Sequence, residues 1–124
     1  MGSRAGLRAG SRRPEREVRV TTLRVAVEPD VELEAEVVGT GPELVWLHGL
    51  SGSLEDGRPV VERLQERFTV LHYSTRGHGR STPLLDRRRY GYGRIAADLA
   101  AVLDEVGFTR PLLVGGSHGA NTIL

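Results

Sequence analysis

The sequence contains no cysteine and no lysine, one tryptophan and one methionine among 124 residues. Without cysteine there are no disulfides and no thiolate-ligated metal, so neither a stapled scaffold nor a cysteine zinc site is available. All 17 basic residues are arginine, a bias that reflects a G+C-rich coding sequence more than any binding partner. Long apolar runs are also missing. None approaches the roughly 20 residues that a membrane-spanning helix requires.

Charge is unevenly placed. Residues 1–16 hold Arg4, Arg8, Arg12, Arg13 and Arg16 against Glu15 alone, so the net charge of +1 combines a basic start with a mildly acidic body. This start has no apolar core of the secretory type, and Gly6 stands where the N-myristoylation pattern wants Ser or Thr. Residues 1–16 read as a disordered basic tail, with weak likeness to an organellar transit peptide. A role as a nucleic-acid tether would need salt-dependent binding; no nucleic-acid partner and no membrane contact are expected, and the cytoplasm is the default location.

At this length and with 39% hydrophobic residues the chain has material for one core. VRVTTLRVAVE and VELEAEVV alternate apolar and polar residues around Pro29-Asp30, which predicts a hairpin exposed on one face. ELVWLHG, TVLHY and PLLVGG are short continuous apolar runs, as in strands buried on both faces. Between the first two, Val60, Val61, Leu64 and Phe68 fall on one helical stripe, with Pro59 near a first turn. Between the last two, a Gly- and Arg-rich loop precedes Ile95, Leu99, Val102, Leu103 and Val106 at helical spacing, stopped by Gly107. Buried strands alternating with helices predict an α/β architecture, a mainly parallel sheet with helices on both faces.

Three short motifs follow the three buried runs. Gly115-Gly116-Ser117-His118-Gly119 frames a serine with glycine two residues before and two after, as a sharp strand-to-helix turn demands when it lifts a hydroxyl above a sheet. Leu47-His48-Gly49-Leu50 ends the first buried run in a loop whose backbone can aim an amide at that serine. Arg76-Gly77-His78-Gly79-Arg80-Ser81 is a tight glycine turn with two arginines, open to reading as an anion nest but read as a solvated structural turn. The side chains of His48, His72, His78 and His118 all read as structural.

LVWLHGL, RGHGRS, a helix carrying Asp98-Leu99 and LLVGGSHGA, in this order, resemble the N-terminal half of the α/β-hydrolase superfamily, nearest its small esterase, lactonase and perhydrolase-like members. The resemblance runs over roughly residues 18–124 and makes residues 17–124 the N-terminal part of an incomplete α/β-hydrolase domain, strands 1–5 only. It implies Ser117 as nucleophile and the backbone amides of Leu50 and His118 as oxyanion hole, with an acyl-enzyme formed from a carboxylic ester, lactone or related small acyl substrate. No metal or organic cofactor is expected. A serine at this position argues against the dehalogenase and epoxide-hydrolase branches. The family commonly carries an aspartate two residues before the arginine of the glycine turn; here Ser74 stands there, which predicts a lost hydrogen-bond network in the loop.

The family's acid and histidine follow the serine in chain order, so they are expected beyond Leu124. Without them Ser117 has no base, PLLVGG becomes an exposed sheet edge, and the polypeptide alone is expected to be marginally folded. The competing reading is a truncated non-catalytic fragment or pseudoenzyme that binds a partner. Substrate identity and oligomeric state are left open.

Overall fold

The computed structural model describes residues 19–49 and 52–116. β1 (Val20–Glu28) and β2 (Val31–Val38) form the expected hairpin, turning at Pro29-Asp30. β3 (Glu43–Leu47), α1 (Leu54–Leu64), β4 (Thr69–Tyr73), α2 (Tyr92–Val106) and β5 (Leu112–Gly115) follow. A single 3-10 turn, Arg87–Tyr90, interrupts the long loop before α2.

The five strands make one sheet in the order β1-β2-β4-β3-β5. β4, β3 and β5 are mutually parallel, and the hairpin joins them through an antiparallel β2–β4 pairing. The sheet is therefore mixed, its parallel part being the three continuous apolar runs. β5 pairs only with β3 among the described residues and leaves Leu112 more than half exposed.

Because successive side chains of a strand point to opposite faces, each buried strand feeds two cores. Val45, Leu47, Leu71 and Tyr73 join Val25, Val31, Leu33 and Ala35 of the hairpin and pack against Leu99 and Val102 of α2. Leu44 and Val70 pack on the other face with Val38 and with Val61 of α1, flanked by Trp46, Leu64 and Phe68. The two helices thus cover opposite faces, as the alternation of elements predicts. α2 ends at Gly107 in the left-handed conformation (φ 77°), whose amide donates to the Leu103 carbonyl.

Pro59 departs from its expected place. It lies inside α1, past the first turn, where a proline removes the amide that would bond four residues back. The site is on the exposed side of the helix.

Candidate active site

The parallel register aligns the ends of the three central strands. Leu47 of β3 is level with Tyr73 of β4 on one side and Gly115 of β5 on the other. The chain therefore leaves the sheet abreast at His48, Ser74 and Gly116, each within two residues of the start of one of the three motifs. Ser117, His118 and Leu50 themselves lie outside the described residues, as do the basic tail and the segment after Ser117.

The first of these exits is held by its own histidine. His48 is buried; its Nε2 accepts the Thr75 amide at 3.0 Å and its Nδ1 lies 2.6 Å from the Gly49 carbonyl oxygen. An imidazole nitrogen that accepts an N–H must be bare, so Nδ1 carries the proton and donates to that carbonyl. The same carbonyl accepts the Gly52 amide at 3.0 Å. His48 is thereby committed as a neutral strut, in keeping with the structural role expected of its side chain. Its ring lies 5.2 Å from that of His78, centroid to centroid, and Thr75 Oγ1 lies 3.0 Å from His78 Nδ1.

The glycine turn corrects two expectations. Arg76 is buried instead of solvated: its Nε and Nη2 donate to the two oxygens of Asp98 on α2 at 2.7 and 2.8 Å, and Nη1 donates to the Arg89 carbonyl. Nη2 also lies 2.7 Å from Glu28 Oε2. Hydrogen bonding to Asp98 holds the Arg76 pKa above its ordinary value, although burial opposes it. Arg80, in contrast, is exposed.

Nor is the loop network lost with serine at position 74. Ser74 Oγ donates to Glu34 Oε2 at 2.7 Å and accepts the Leu54 amide at 2.8 Å. The same Glu34 oxygen accepts the Arg80 amide at 2.8 Å. The carboxylate absent from position 74 thus arrives from β2, and the anion held by the glycine turn is a side chain of the protein itself. Ser81 completes the turn, its hydroxyl donating to the Ser74 carbonyl and accepting the Glu34 amide. Gly79 sits at φ 51°, and a Cβ there would collide with Glu34 Oε2 and Ser74 Oγ, so only glycine lets the turn close over this pair.

Glu34 and Thr75 were not distinguishable from the sequence as site residues. In VELEAEVV, Glu34 is one of three acids at alternate positions, all expected on a solvated face. Instead Glu34 faces the glycine turn, and Glu36 meets α1, where Arg58 donates to both of its oxygens.

Among the described residues, no cluster of three or more His, Asp or Glu is arranged to hold a metal ion, and no helix is long and apolar enough to cross a membrane.

The sequence profile of the alpha/beta hydrolase fold matches residues 42–124, two thirds of the chain. The chain belongs to the α/β-hydrolase fold family. As an α/β-hydrolase it is 38% identical over 82 residues to a protein of Caulobacter segnis provisionally described as a carbamate hydrolase, RutD, covering 65% of this chain and 31% of the relative. It is 32% identical over 96 residues to a fluoroacetate dehalogenase of Burkholderia, covering 75% of this chain and 32% of the relative. Among solved structures, the bromoperoxidase from Bacillus anthracis superposes with a TM-score of 0.76 at 27% identity, over 83% of this chain and 37% of that one. The chain spans about a third of the length of the curated relatives it matches.

Proposed function

We propose that this protein is a serine hydrolase that cleaves a carboxylic ester, lactone or related small acyl compound through an acyl-enzyme on Ser117. The observation that supports the reading is the shared register of β4, β3 and β5, which brings Leu47, Tyr73 and Gly115 level at one end of the sheet, where the chain continues toward the three motifs. Ligands of open parallel sheets bind at this end of the strands.

In this reading Ser117 Oγ attacks the acyl carbon, and a histidine base takes its proton. The amides of Leu50 and His118 hold the developing oxyanion, a contribution of about 3–4 kcal/mol per donor in comparable sites. Collapse of the tetrahedral intermediate expels the alcohol with the proton from the histidine. Water then repeats the sequence and frees the acid. The base and its orienting carboxylate are the family's elements that follow the serine in chain order. No metal or organic cofactor enters any of these steps.

The relatives include a dehalogenase, so overall similarity does not choose the nucleophile; the residue at position 117 carries that choice. A fluorophosphonate probe followed by peptide mass spectrometry tests it. The expected result is a single modified peptide containing Ser117, lost in Ser117→Ala together with at least about a thousandfold of esterase turnover. A folded protein that stays unlabelled would overturn the reading in favour of a non-catalytic protein that binds a partner, for which the half-exposed Leu112 on β5 offers a surface.

A further inference from the structure

On the α1 face of the sheet, three neighbouring strands present a row of side chains at one level. Glu36 of β2 and Trp46 of β3 are both register partners of His72 of β4. His72 is buried, and its Nε2 lies 3.1 Å from Glu36 Oε1. A carboxylate only accepts, so Nε2 carries the ring proton and donates it, which leaves Nδ1 bare in the neutral imidazole. That Nδ1 is buried and has no hydrogen-bond partner.

Arg58 of α1 closes on the same carboxylate, its Nη1 donating to Oε1 at 3.0 Å and its Nη2 to Oε2 at 3.1 Å. Its Nε and Nη2 also reach the two oxygens of Glu55, a largely exposed side chain one turn back on the helix. Arg58 thus has one acceptor beneath the helix and another on its outer surface. Among the described residues, the pair with Glu36 is the only ion pair that ties α1 to the sheet. The apolar attachment is thin: α1 buries Leu54 and Val61 beside Gly57, whereas α2 buries Ile95, Leu99 and Val102.

A proton on His72 works against this arrangement. It puts an N–H on Nδ1, and the next polar side chain along the row, Trp46, offers only a donor. It also sets an imidazolium beside the Arg58 guanidinium, both on Glu36 Oε1. The charged groups that bear on the ring are Glu36 from β2 and Arg58 and Glu55 from α1. Burial lowers the His72 pKa, Glu36 partly offsets this, and Arg58 adds to the lowering. The closed form therefore refuses a proton that an open form accepts near pH 6.5, so opening gains as the pH falls below that value.

We propose that Glu36, Arg58 and His72 form a proton-sensitive latch, which holds α1 on the sheet at neutral pH and lets it open locally in mild acid while α2 stays packed. The latch is independent of the serine-hydrolase reading.

Amide hydrogen exchange on the whole native protein at pH 7 and pH 5, corrected for the intrinsic pH dependence of exchange, tests it. In wild type, protection of the α1 amides from Arg58 to Leu64 is expected to fall several-fold at pH 5, with a ceiling of about 25-fold set by an open-form pKa of about 6.5. The α2 amides keep their protection. His72→Gln retains a donor for Glu36 but does not titrate, so in that variant α1 protection is the same at both pH values. His48 and His78 are unchanged there, and a fall that persists overturns the proposal. If His72→Gln fails to fold, Arg58→Gln on the partly exposed helix surface decides: α1 protection falls at pH 7 with α2 unaffected, and no fall overturns the latch. Wild-type α1 protection that is equal at the two pH values, or that falls in step with α2, overturns it as well.

Discussion

The two faces of this sheet do different work with similar strands. Toward α2, every described strand from β1 to β4 presents Val, Leu, Ala or Tyr, and the principal charged group, Arg76, is buried with both oxygens of Asp98 engaged. Toward α1, the same strands present a shorter apolar patch and then Trp46, His72, Glu34 and Glu36. One face is a packed core closed by an ionic cluster in which Arg76 meets both Asp98 and Glu28. The other holds polar groups in place by directed bonds; buried polar atoms without a hydrogen-bond partner occur on both, Trp46 Nε1 and His72 Nδ1 here and Tyr73 Oη in the α2-side core. The glycine turn draws on both faces: Arg76 ties it to Asp98 of α2, and the neighbouring Ser74 accepts the Leu54 amide at the start of α1.

The sharpest way to break that contrast is Asp98→Ala. Removing Asp98 leaves the buried Arg76 with Glu28 and the Arg89 carbonyl as partners, so the expected loss is about 3 kcal/mol in urea unfolding, the low end for a broken buried pair. Replacing both partners, Arg76→Met with Asp98→Leu, should cost markedly less, because no unpaired charge remains. Equal losses would mean that Arg76 reaches water when its partner goes.

Gly57→Ala probes the other face. Gly57 is buried in α1 directly over Trp46, and an added Cβ would strike the indole Nε1 and Cδ1. Alanine favours a helix by about 1 kcal/mol over glycine, whereas forcing a methyl into a packed contact costs about 1–3 kcal/mol. Net destabilisation of up to about 2 kcal/mol is expected. Stabilisation would show that α1 can lift from the sheet without penalty.

The smallest effect is a pH dependence confined to the α1 face. Burial holds the His72 pKa below its ordinary 6.5, a shift partly offset by Glu36, 3.1 Å from its Nε2. The unfolded chain then binds a proton that the folded chain refuses, so this contribution is full above about pH 6.5 and is lost as the pH falls below it. Burial pushes the Glu36 carboxyl up, but the Arg58 guanidinium and His72 pull it further down, leaving it below its ordinary 4.5, so its contribution is likewise lost in acid, at lower pH. The expected outcome is a melting temperature that declines from pH 7 to pH 5, with His72→Phe flattening the upper part of that decline. A profile unchanged by His72→Phe would remove the histidine from the account.

The same contrast explains what could be read in advance. Elements followed from periodicity: TVLHY is β4 without adjustment, Gly107 ends α2, and the hairpin turns at Pro29-Asp30. Such features depend on local chain geometry and on which face is apolar. The glycine turn was legible too, because Gly77 and Gly79 take the positive φ that a glycine pattern marks. What stayed hidden is long-range. Nothing near Glu34 in sequence indicates that its carboxylate meets Ser74, 40 residues on, and nothing near Arg76 shows that Asp98 waits 22 residues later to bury it. A polar residue on an alternating strand looks solvated until the topology decides what covers it.

The stretch between β3 and α1 is held at its described ends, His48 and Leu54, by residues that arrive later in the chain. Its anchors at Ser74 and Thr75 come into position only once β4 has docked beside β3, across a helical crossover. A peptide spanning residues 48–54, or those residues grafted alone onto another scaffold, would lack both anchors. During folding, the loop belongs to the late events that follow nonlocal strand pairing. Damage to its anchors should accordingly register in how fast the native state opens more than in how fast it is reached.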